Sequence, residues 1–524
     1  MQRKYIVITG GVLSGLGKGI AIASIGHLLS NKYKIVPIKC DGYLNVDPGT
    51  MNPVEHGEVF VLDDGGEVDM DFGHYERFLG TTCKFDWNLT MGKVFEEIRK
   101  KERRGDYLGK TVQMIPHVSE YIKNHFLKVG KESEADIVTI EIGGTVGDME
   151  NELYIQAVQD LAREVGRKNV LFVHLTYVPI PCGVDEQKSK PTQQSIMMLR
   201  ERGIYPDIVI ARCKQMLSEP VKKKIAVFSN IDEGSVFTGL DVDDVYKIPL
   251  VFEKQGMSQL IARKLDIPVK TNLLKLREII KNKQEAKREI TIAIAGKYTS
   301  LEDSYASIIE ALHHCSAKYS VKINTKFIDT SKEDFDLSGV SGVIVPGGFG
   351  SRGIEGKINV VKYCREKNIP FLGICYGLQM AVIEFARNVC GLKDANTTEV
   401  NEKTPYPVIN ILEEQKGITN KGGTMRLGSY PAKILPNSKV NKLYGSLEVS
   451  ERHRHRYEVN PEYHQILRDK GLVFSGLSPD RTLVEFIELP NHKYFVATQA
   501  HPELKSSPFK PAPLFLGLVD ACLK

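Results

Sequence analysis

The sequence predicts an α/β protein with two parallel-sheet domains, and three features carry this prediction. Short runs rich in Val and Ile recur through the 524 residues, with longer stretches of helical character between them. These runs are almost continuously apolar, which is typical of strands buried on both faces of a parallel sheet. The chain is also long enough for two or three domains that each bury a full core. The predicted strands are residues 5–9, 35–39, 137–141, 170–175, 208–211, 290–295, 342–345, 370–374 and 494–499.

A change of composition separates the two predicted domains. Residues 270–289 are polar and rich in Lys and Glu, and the strand pattern restarts at Ile290. Polar, exposed segments of this kind commonly connect domains. We therefore predict a first domain at 1–269, a helical linker at 270–289 and a second domain at 290–524.

Composition argues against several classes of protein. The 70 Lys and Arg residues nearly balance the 65 Asp and Glu residues, so a nucleic-acid partner is not favoured. The basic run at 99–104 contains no aromatic residue and is predicted to be a solvated helix face. The nine cysteines include no C-x-x-C pair, which disfavours a zinc or redox site. The odd cysteine count, the lack of a secretory leader and the lack of a membrane-length apolar run predict a cytoplasmic protein with no membrane partner.

A glycine-rich loop follows the first predicted strand. Residues 10–19 read GGVLSGLGKG and lead into a helix of small residues at 20–29. Such a turn presents backbone N–H groups and the helix dipole to phosphates, and Lys18 would reach the β- and γ-phosphates. The match to the usual phosphate loop is incomplete, because Gly11 lies one residue early and Gly19 replaces the Ser or Thr that holds magnesium. The loop still predicts a nucleotide site.

The missing hydroxyl at Gly19 predicts that carboxylates elsewhere hold a magnesium ion. Asp71 and Glu141 are the candidates, and Glu141 ends a predicted strand, where ligands bind in parallel sheets. By position alone, Glu141 is equally well explained as a surface charge. Lysines within 188–190, with Lys224 further on, are commonly only surface charge, but beside a phosphate loop they favour a second nucleotide.

A second site is predicted in the C-terminal half. Cys375 lies between Gly373 and Gly377, directly after an apolar run. This arrangement is the cysteine form of a nucleophile elbow, a sharp turn from strand to helix that exposes the nucleophile. Far downstream, His501 can act as a base and Glu503 can orient it. The three side chains together predict nucleophilic catalysis by a thiolate.

Ten segments in order, spread over both halves of the chain, share the pattern of one family. They lie at 9–19, 45–51, 55–61, 73–78, 102–109, 141–148, 190–193, 346–350, 422–428 and 452–457. On these segments the chain resembles the CTP synthase family along essentially its whole length. The resemblance implies a P-loop NTPase-like (Rossmann-like) amidoligase domain followed by a class I glutamine amidotransferase domain.

The activity implied by this resemblance is ATP-dependent amination of UTP to CTP. ATP would phosphorylate the 4-oxygen of UTP, and ammonia released from L-glutamine at Cys375 would displace that phosphate. The resemblance further implies Mg²⁺ as cofactor, GTP as activator and CTP as inhibitor. It also implies self-association into a homotetramer through dimers, with nucleotides and glutamine as the small-molecule partners.

The resemblance also implies roles for individual positions. The implied catalytic residues are Cys375, His501 and Glu503, and the implied metal ligands are Asp71 and Glu141. The implied ATP contacts are Gly15, Leu16, Gly17, Lys18, Gly19, Ile20, Lys39, Asp71, Asp241, Val242 and Asp243. The implied contacts to UTP or CTP are Ser14, Asp148, Met149, Glu150, Lys188, Lys190, Gln193 and Lys224. The implied glutamine contacts are Gly348, Tyr376, Gln379, Glu399 and Arg456, with Arg352 implied in GTP binding.

The chain departs from the commonest pattern of the family at three positions. Gly42 stands where proline is usual, and Ala500 and Leu504 replace aromatic residues. Outside the family, the run His-Arg-His-Arg at 453–456 would be interpreted as a charged loop.

Two alternative functions stay open on the residues alone. Another amidoligase with the same two modules would act on a carboxylate such as a corrin side chain. A phosphate-loop scaffold would carry a dead amidotransferase, which predicts the loss of Cys375, His501 or Glu503, and none is lost. The lysine cluster at 188–193, with Ser14, favours a nucleotide acceptor over a carboxylate.

Overall fold

The chain forms two compact units in the computed structural model, which describes residues 2–297, 302–332, 334–412, 415, 417 and 422–524. The first unit comprises Met1–Asp47 and His74–Arg277, and the second comprises Pro48–Gly73 and Glu278–Lys524. The inclusion of 48–73 in the second unit has no signal in composition, because it depends on contacts between residues far apart in sequence.

A sheet of seven parallel strands forms the centre of the first unit. All five strands predicted in this region are present, which confirms the predicted α/β class. Their apolar residues are buried, as expected for strands covered on both faces. In spatial order the strands are Asn88–Thr90, Ile35–Asp41, Ile137–Ile142, Lys4–Gly10, Val170–Tyr177, Ile208–Cys213 and Val236–Leu240.

Helices cover this sheet and connect its strands. The phosphate-loop helix begins at Lys18, two residues earlier than the sequence predicts. The basic run 99–104 lies at the end of a helix and is largely exposed, as predicted. The helices that belong to the first unit or cross its boundary are Lys18–Ser30, Asp71–Leu79, Met91–Arg104, Ser119–Glu132, Glu152–Val165, Lys190–Glu201, Glu219–Ser229, Ile248–Lys254, Met257–Leu265 and Leu274–Gln284.

The main sheet of the second unit has nine strands and is only partly parallel. The first five strands in spatial order are parallel and include every strand predicted in this half. The other four extend the sheet by antiparallel pairing, a feature that the sequence analysis did not predict. In spatial order the nine are Val321–Asp329, Arg288–Gly296, Gly342–Val345, Phe371–Ile374, Phe495–Thr498, Val484–Glu488, Val473–Leu477, Arg426–Ile434 and Glu448–His455.

Smaller elements complete the second unit. Three short strands form a separate sheet, Ala395–Thr397, Tyr406–Ile411 and Tyr457–Val459, and Phe60–Val61 pairs with Glu67–Val68. The helices are Pro53–His56, Ala306–Tyr319, Ile354–Lys367, Tyr376–Asn388, Lys439–Tyr444, His464–Asp469 and Pro513–Leu523. No helix in the described part of the chain has both the length and the apolar character needed to cross a membrane.

Ion pairs hold the segment 48–73 to the rest of the second unit. Arg452 donates to Asp63 at 2.6 Å, and Arg454 donates to Glu67 at 2.8 Å. Glu67 is buried and Arg454 is largely buried, so each ion is compensated by the other rather than left without a partner in a site of low polarity. These contacts join residues 389 and 387 positions apart, and they help to explain why 48–73 clusters with Glu278–Lys524.

Candidate active sites

Three adjacent parallel strands of the second unit end at the predicted thiolate site. Because parallel strands share a direction, the segments that follow them emerge at one edge of the sheet. These segments are 346–350, Cys375 and 499–503. The sheet order therefore brings together residues that are more than 120 positions apart in sequence, as the donation from Gln499 Nε2 to Cys375 Sγ at 3.6 Å shows.

Cys375 occupies a strained turn between a strand and a helix. Its φ is 52° and its ψ is −102°, a conformation that a residue with a side chain rarely adopts. Its N–H donates to the carbonyl of Thr498 at 2.7 Å. The flanking glycines supply space, since a Cβ on Gly377 would lie 2.0 Å from the carbonyl oxygen of Val345. A Cβ on Gly373 would lie 2.8 Å from the Cβ of Ala497.

His501 and Glu503 form the pair that the sequence predicts. The distance from His501 Nδ1 to Glu503 Oε1 is 2.7 Å. A protonated Nδ1 donating to the carboxylate leaves Nε2 as the atom that can exchange a proton with the nucleophile. Gly347 lies against both partners, because a Cβ there would sit 2.9 Å from His501 Cε1 and 3.8 Å from the Cβ of Cys375.

The charge state of His501 follows from its neighbours. Burial alone would lower the pKa of His501, but the Glu503 carboxylate and Cys375 outweigh burial and raise that pKa well above its ordinary value. A raised histidine pKa beside a thiol is the arrangement that stabilises a thiolate–imidazolium pair. The site can therefore carry out nucleophilic attack followed by proton return to a leaving amine.

A glycine-rich loop borders the nucleophile and carries predicted substrate contacts. Tyr376 donates through its hydroxyl to the carbonyl of Gly350 at 2.9 Å, and Glu399 accepts from the N–H of Gly350 at 2.6 Å. Burial raises the pKa of Glu399, although the hydrogen bond from Gly350 opposes this. The structure thus brings Cys375, Tyr376 and Glu399 together around the loop that includes Gly348.

The other residues of this unit that were predicted to bind glutamine or GTP are Gln379, Arg456 and Arg352, and their side chains donate hydrogen bonds to residues other than Cys375. Gln379 is buried on the nucleophile's helix and donates to the carbonyl of Tyr457 at 2.9 Å. Arg456 donates to Gln415 at 2.6 Å and to Thr424 at 2.8 Å. Arg352 is exposed and donates to the carbonyl of Lys297 at 2.8 Å.

His453, Arg454 and His455 end the strand Glu448–His455, so interpreting the run 453–456 as a charged loop is wrong for these three residues, and Arg456 follows in a bend. His453 and His455 are both buried, and their rings approach to 3.0 Å. Arg426 donates to the buried carboxylates of Glu485 at 2.7 Å and Glu458 at 3.1 Å. Burial, together with the Arg426 charge, lowers the pKa of each histidine well below its ordinary value. A strand with this many ionisable side chains can be buried because the Arg426 charge is paired with carboxylates and the two histidines are neutral.

The predicted phosphate loop of the first unit is a turn between the strand Lys4–Gly10 and the helix Lys18–Ser30. Gly15 and Gly17 have φ of 72° and 87°, values that favour glycine, and the helix begins directly afterwards. Lys18 is 8% exposed and donates to the carbonyl of Gly144 at 2.7 Å. A Cβ on Gly10 would lie 2.8 Å from Lys18 Cδ, so that glycine makes room for the lysine stem.

Glu141 is a buried charge and not a surface one. It is 1% exposed, and it accepts from Lys39 at 2.9 Å and from the Tyr75 hydroxyl at 2.5 Å. The pairing of strands places Lys39 directly beside Glu141, and Asp71 begins the helix Asp71–Leu79. Among the described residues, no three His, Cys, Asp or Glu side chains form a group that could hold a metal ion by themselves.

A cleft beside the phosphate loop gathers several predicted ATP contacts. Its lining includes Leu16, Gly17, Ile20, Asp241 and Val242. Apolar walls with a few polar groups are typical of nucleotide-base sites. Asp243 is outside this lining and accepts from Lys247 at 2.6 Å.

Arg212 is a residue of this cleft that the sequence analysis missed. It donates to Asp241 at 2.7 Å and to the carbonyl of Gly15 at 3.0 Å. The available signal was its position immediately after the predicted strand 208–211, at the edge of the sheet where ligands bind.

The predicted pyrimidine-nucleotide residues lie on several elements of the first unit. Lys190 and Gln193 are in the first turn of the helix Lys190–Glu201, and Lys224 is exposed on the helix Glu219–Ser229. Lys188 donates to Glu186 at 2.6 Å. Ser14 is exposed in the phosphate loop. Asp148, Met149 and Glu150 form an exposed turn, in which Asp148 accepts from the N–H of Thr145.

A buried histidine connects the phosphate loop to the helix Lys190–Glu201. His174 lies between Thr9 Oγ1 at 2.9 Å and Ser195 Oγ at 2.7 Å, and burial lowers the pKa of His174 to about 3. A Cβ on Gly11 would lie 1.5 Å from Ser195 Oγ, so only glycine fits there. The phosphate loop and the lysine-bearing helix are therefore packed together. A histidine within an apolar strand gives no such signal in the sequence.

Comparison with known proteins decides the family. The family described as CTP synthase N-terminus matches residues 4–267, and the family described as glutamine amidotransferase class-I matches residues 300–521. The CTP synthase of Borreliella burgdorferi is 52% identical over 528 residues, covering 99% of this chain and 99% of its own. The chain belongs to the CTP synthase family. The CTP synthase of Archaeoglobus fulgidus is 50% identical over 526 residues, covering 99% of this chain and 98% of its own. A solved structure, the Trypanosoma brucei CTPS glutaminase domain with bound acivicin, is 36% identical and covers 45% of this chain and 94% of that chain, with a TM-score of 0.42.

Membership of the CTP synthase family makes the chain a glutamine-dependent ligase. The structure also shows the surroundings of the three positions that depart from the commonest family pattern, Gly42, Ala500 and Leu504. A Cβ on Gly42 would lie 2.7 Å from the Cβ of Glu150, so this chain has no room for a larger residue there without movement of the 148–150 turn. Ala500 and Leu504 are both buried. The smaller side chains at these two positions are therefore part of the packing beside His501 and Glu503.

Proposed function

We propose that this chain converts UTP to CTP, with ATP as the phosphoryl donor and L-glutamine as the nitrogen source. The observation that carries the proposal is the presence of two separate chemistries in one chain. The second unit has a strained cysteine beside a histidine–glutamate pair, and the first has a glycine-rich loop beside a cleft with largely apolar walls. The presence of both chemistries in one chain is accounted for if the ammonia released in the second unit is consumed in the first.

The geometry around Cys375 supports the proposed glutaminase step. The thiolate attacks the side-chain amide carbon of glutamine, and backbone N–H groups of Gly348 and Tyr376 stabilise the oxyanion that forms. His501 gives its Nε2 proton to the departing ammonia, which leaves as the C–N bond breaks. Water then attacks the thioester, His501 takes a proton from that water, and glutamate is released with the thiolate restored. Gln379, Glu399 and Arg456 orient the amino-acid end of glutamine.

The synthetase step uses the first unit. Lys18 and Lys39 contact the ATP phosphates, and Lys18 stabilises the charge that moves during phosphoryl transfer. The 4-oxygen of UTP takes the γ-phosphoryl group and ADP is left. Ammonia attacks C4, inorganic phosphate leaves with the 4-oxygen, and CTP results. The residues Ser14, Lys188, Lys190, Gln193 and Lys224 hold the pyrimidine nucleotide.

Asp71 and Glu141 would hold Mg²⁺, which would supply charge neutralisation at the phosphates. Glu141 fits this role by its position, because it lies buried near the carboxyl end of the strand Ile137–Ile142, where ligands bind in parallel sheets. Mg²⁺ is commonly bound by one or two carboxylates together with substrate phosphates, so a larger group of protein ligands is not required.

Regulation and assembly also belong to the proposal. GTP would activate through the loop that includes Arg352, and CTP would inhibit through 148–150. Assembly into a homotetramer through dimers and a cytoplasmic location are supported by family membership.

Product analysis tests the proposed function. The purified chain, mixed with UTP, ATP, Mg²⁺ and glutamine, should form CTP, ADP and glutamate in equal amounts, measured by chromatography with and without GTP. Replacing glutamine with ammonium chloride should still give CTP. If no CTP forms from ammonium chloride while a carboxylate acceptor is amidated, the chain is a different amidoligase; if ATP is not consumed at all, the scaffold function is correct.

Glu503→Gln should slow glutamine hydrolysis by roughly 10²–10⁴-fold, because the histidine loses the group that orients and charges it. The pKa of His501 is raised, so in the wild type the imidazolium is present below that pKa and is lost as pH rises through it. Removing the Glu503 charge lowers this pKa. The alkaline limb of the kcat profile for glutamine hydrolysis should therefore move to lower pH. Glu462→Gln, an exposed carboxylate of the same unit, is the control, and an unmoved alkaline limb in Glu503→Gln would contradict the assigned pairing.

A further inference from the structure

A lysine with no role in the steps above is fully buried beside the glutaminase site. Lys357 lies in the first turns of the helix Ile354–Lys367 and is 1% exposed. It shares the inward face of the helix with Ile354, Ile358 and Val361, where an apolar residue would be expected. Lysine is almost never fully buried unless it is paired, so this position calls for a physical reason.

The ammonium of Lys357 contacts the two residues proposed to bind the oxyanion. It lies 4.9 Å from the centre of the Tyr376 ring, within the range of a cation–π interaction. A Cβ on Gly348 would lie 3.2 Å from Lys357 Nζ. The ammonium therefore lies beside the position where the proposed oxyanion forms.

Three ionisable neighbours act on Lys357. Burial, the larger cause, and the neighbouring Lys297 together lower the pKa of Lys357 to about 7, and Cys375 and Glu399 oppose this shift. The ammonium lies against Gly348 and the Tyr376 ring, and the residues next to these in the chain are Gly347, which lies against Cys375, and Cys375 itself. A cation in this place favours negative charge on the neighbouring thiolate. A cation of this kind, fixed before the reaction, costs no reorganisation when negative charge develops.

We propose that Lys357 is a positioning residue of the glutaminase site, whose buried ammonium favours the Cys375 thiolate and fixes Gly348 and Tyr376 for binding the oxyanion. This inference rests on the proposed glutaminase function. It adds a cation that acts through the nucleophile and through the oxyanion loop, and it does not require Lys357 to exchange a proton with glutamine.

Three variants test this role. Lys357→Met keeps the length of the side chain and removes its charge. Lys357→Arg keeps a charge. Lys367→Met removes a lysine charge from the exposed end of the same helix and is the matched control. The measurements are kcat and KM for glutamine hydrolysis, and the pH dependence of alkylation of Cys375 by iodoacetamide, followed at that residue by mass spectrometry. Ammonia-dependent CTP formation in each preparation reports the state of the first unit.

Lys357→Met should lower kcat for glutamine hydrolysis about tenfold with little change in KM. The midpoint of its alkylation profile should rise by about one pH unit, because the thiolate has lost a nearby cation. Lys367→Met should match the wild type in both measurements. An unchanged alkylation midpoint in Lys357→Met, with unchanged kcat, would overturn the inference and would make Lys357 a packing residue only.

A second measurement remains if Lys357→Met does not fold. Arginine stays charged at all working pH values, whereas the wild-type lysine loses its charge as pH rises through about 7. The ratio of kcat in Lys357→Arg to kcat in the wild type should therefore rise several-fold between about pH 6.5 and pH 8.5, and a constant ratio would overturn the inference. Failure of the wild-type Cys375 to be alkylated, or of the wild type to hydrolyse glutamine, would instead overturn the proposed function.

Discussion

Cys375→Ala will abolish CTP formation from glutamine and leave CTP formation from ammonia within about twofold of the wild type. Cys375 is held in a strained elbow, and its thiolate forms the thioester in the proposed mechanism. Its loss should therefore slow glutamine hydrolysis by about 10⁴-fold or more. The amination step needs only ammonia, ATP and UTP in the first unit. Initial rates of CTP formation with glutamine, and then with ammonium chloride, measure the two routes separately.

Cys315→Ala is the matched control for this experiment. Cys315 is a buried cysteine of the same unit, packed in the core between apolar side chains. Burial raises the pKa of the Cys315 thiol, so it is inert as a nucleophile. This variant should keep both routes, with at most a small loss of stability. Equal loss of both routes in Cys375→Ala would contradict the assignment of nitrogen release and amination to separate sites.

Local sequence patterns predicted the parallel half of the fold because each strand carries its own signal. Strands such as Ile137–Ile142 and Phe371–Ile374 are short, apolar and buried. Each can be predicted from its own run of apolar residues, without information from any other part of the chain. The antiparallel extension of the second sheet was not predicted. Strand Glu448–His455 is charged along much of its length, and its burial depends on carboxylates at Glu458 and Glu485 that meet Arg426 only in the folded protein.

The candidate sites show the same division between local and distant information. The elbow at Cys375 and the glycine-rich loop are each predicted from a few consecutive residues. In the structure, each is a sharp turn between a strand and a helix. Lys357 and His174 were missed, because a lysine in a helix and a histidine in a strand are informative only once their neighbours are known. The assignment of 48–73 to the second unit has the same cause, since it depends on Arg452 and Arg454 far along the chain.

Lys18→Met will stop CTP formation from both glutamine and ammonia, with a loss of about 10³-fold, equivalent to ~4 kcal/mol of transition-state stabilisation. Lys18 is the first residue of the helix that follows the phosphate loop, and its ammonium is held by the carbonyl of Gly144 at the carboxyl edge of the sheet. Charge moves between phosphate oxygens in the proposed transfer, and methionine fills the same space without stabilising that charge. ADP release and CTP release, measured together, should fall in parallel, while hydrolysis of glutamine persists.

Lys4→Met separates this loss of charge from a loss of structure. Lys4 is also a buried lysine with a hydrogen bond, to Asn169 at 2.7 Å, and it lies at the opposite end of the strand Lys4–Gly10. Ligands bind at the carboxyl ends of parallel strands, so Lys4 is at the edge of the sheet where no nucleotide is expected. Its replacement should cost stability but keep kcat for ammonia-dependent synthesis. If Lys18→Met retained that synthesis, the phosphates would have to be bound by some other group than the ammonium of Lys18. If Lys4→Met lost it equally, the loss in Lys18→Met would be structural and not specific to its charge.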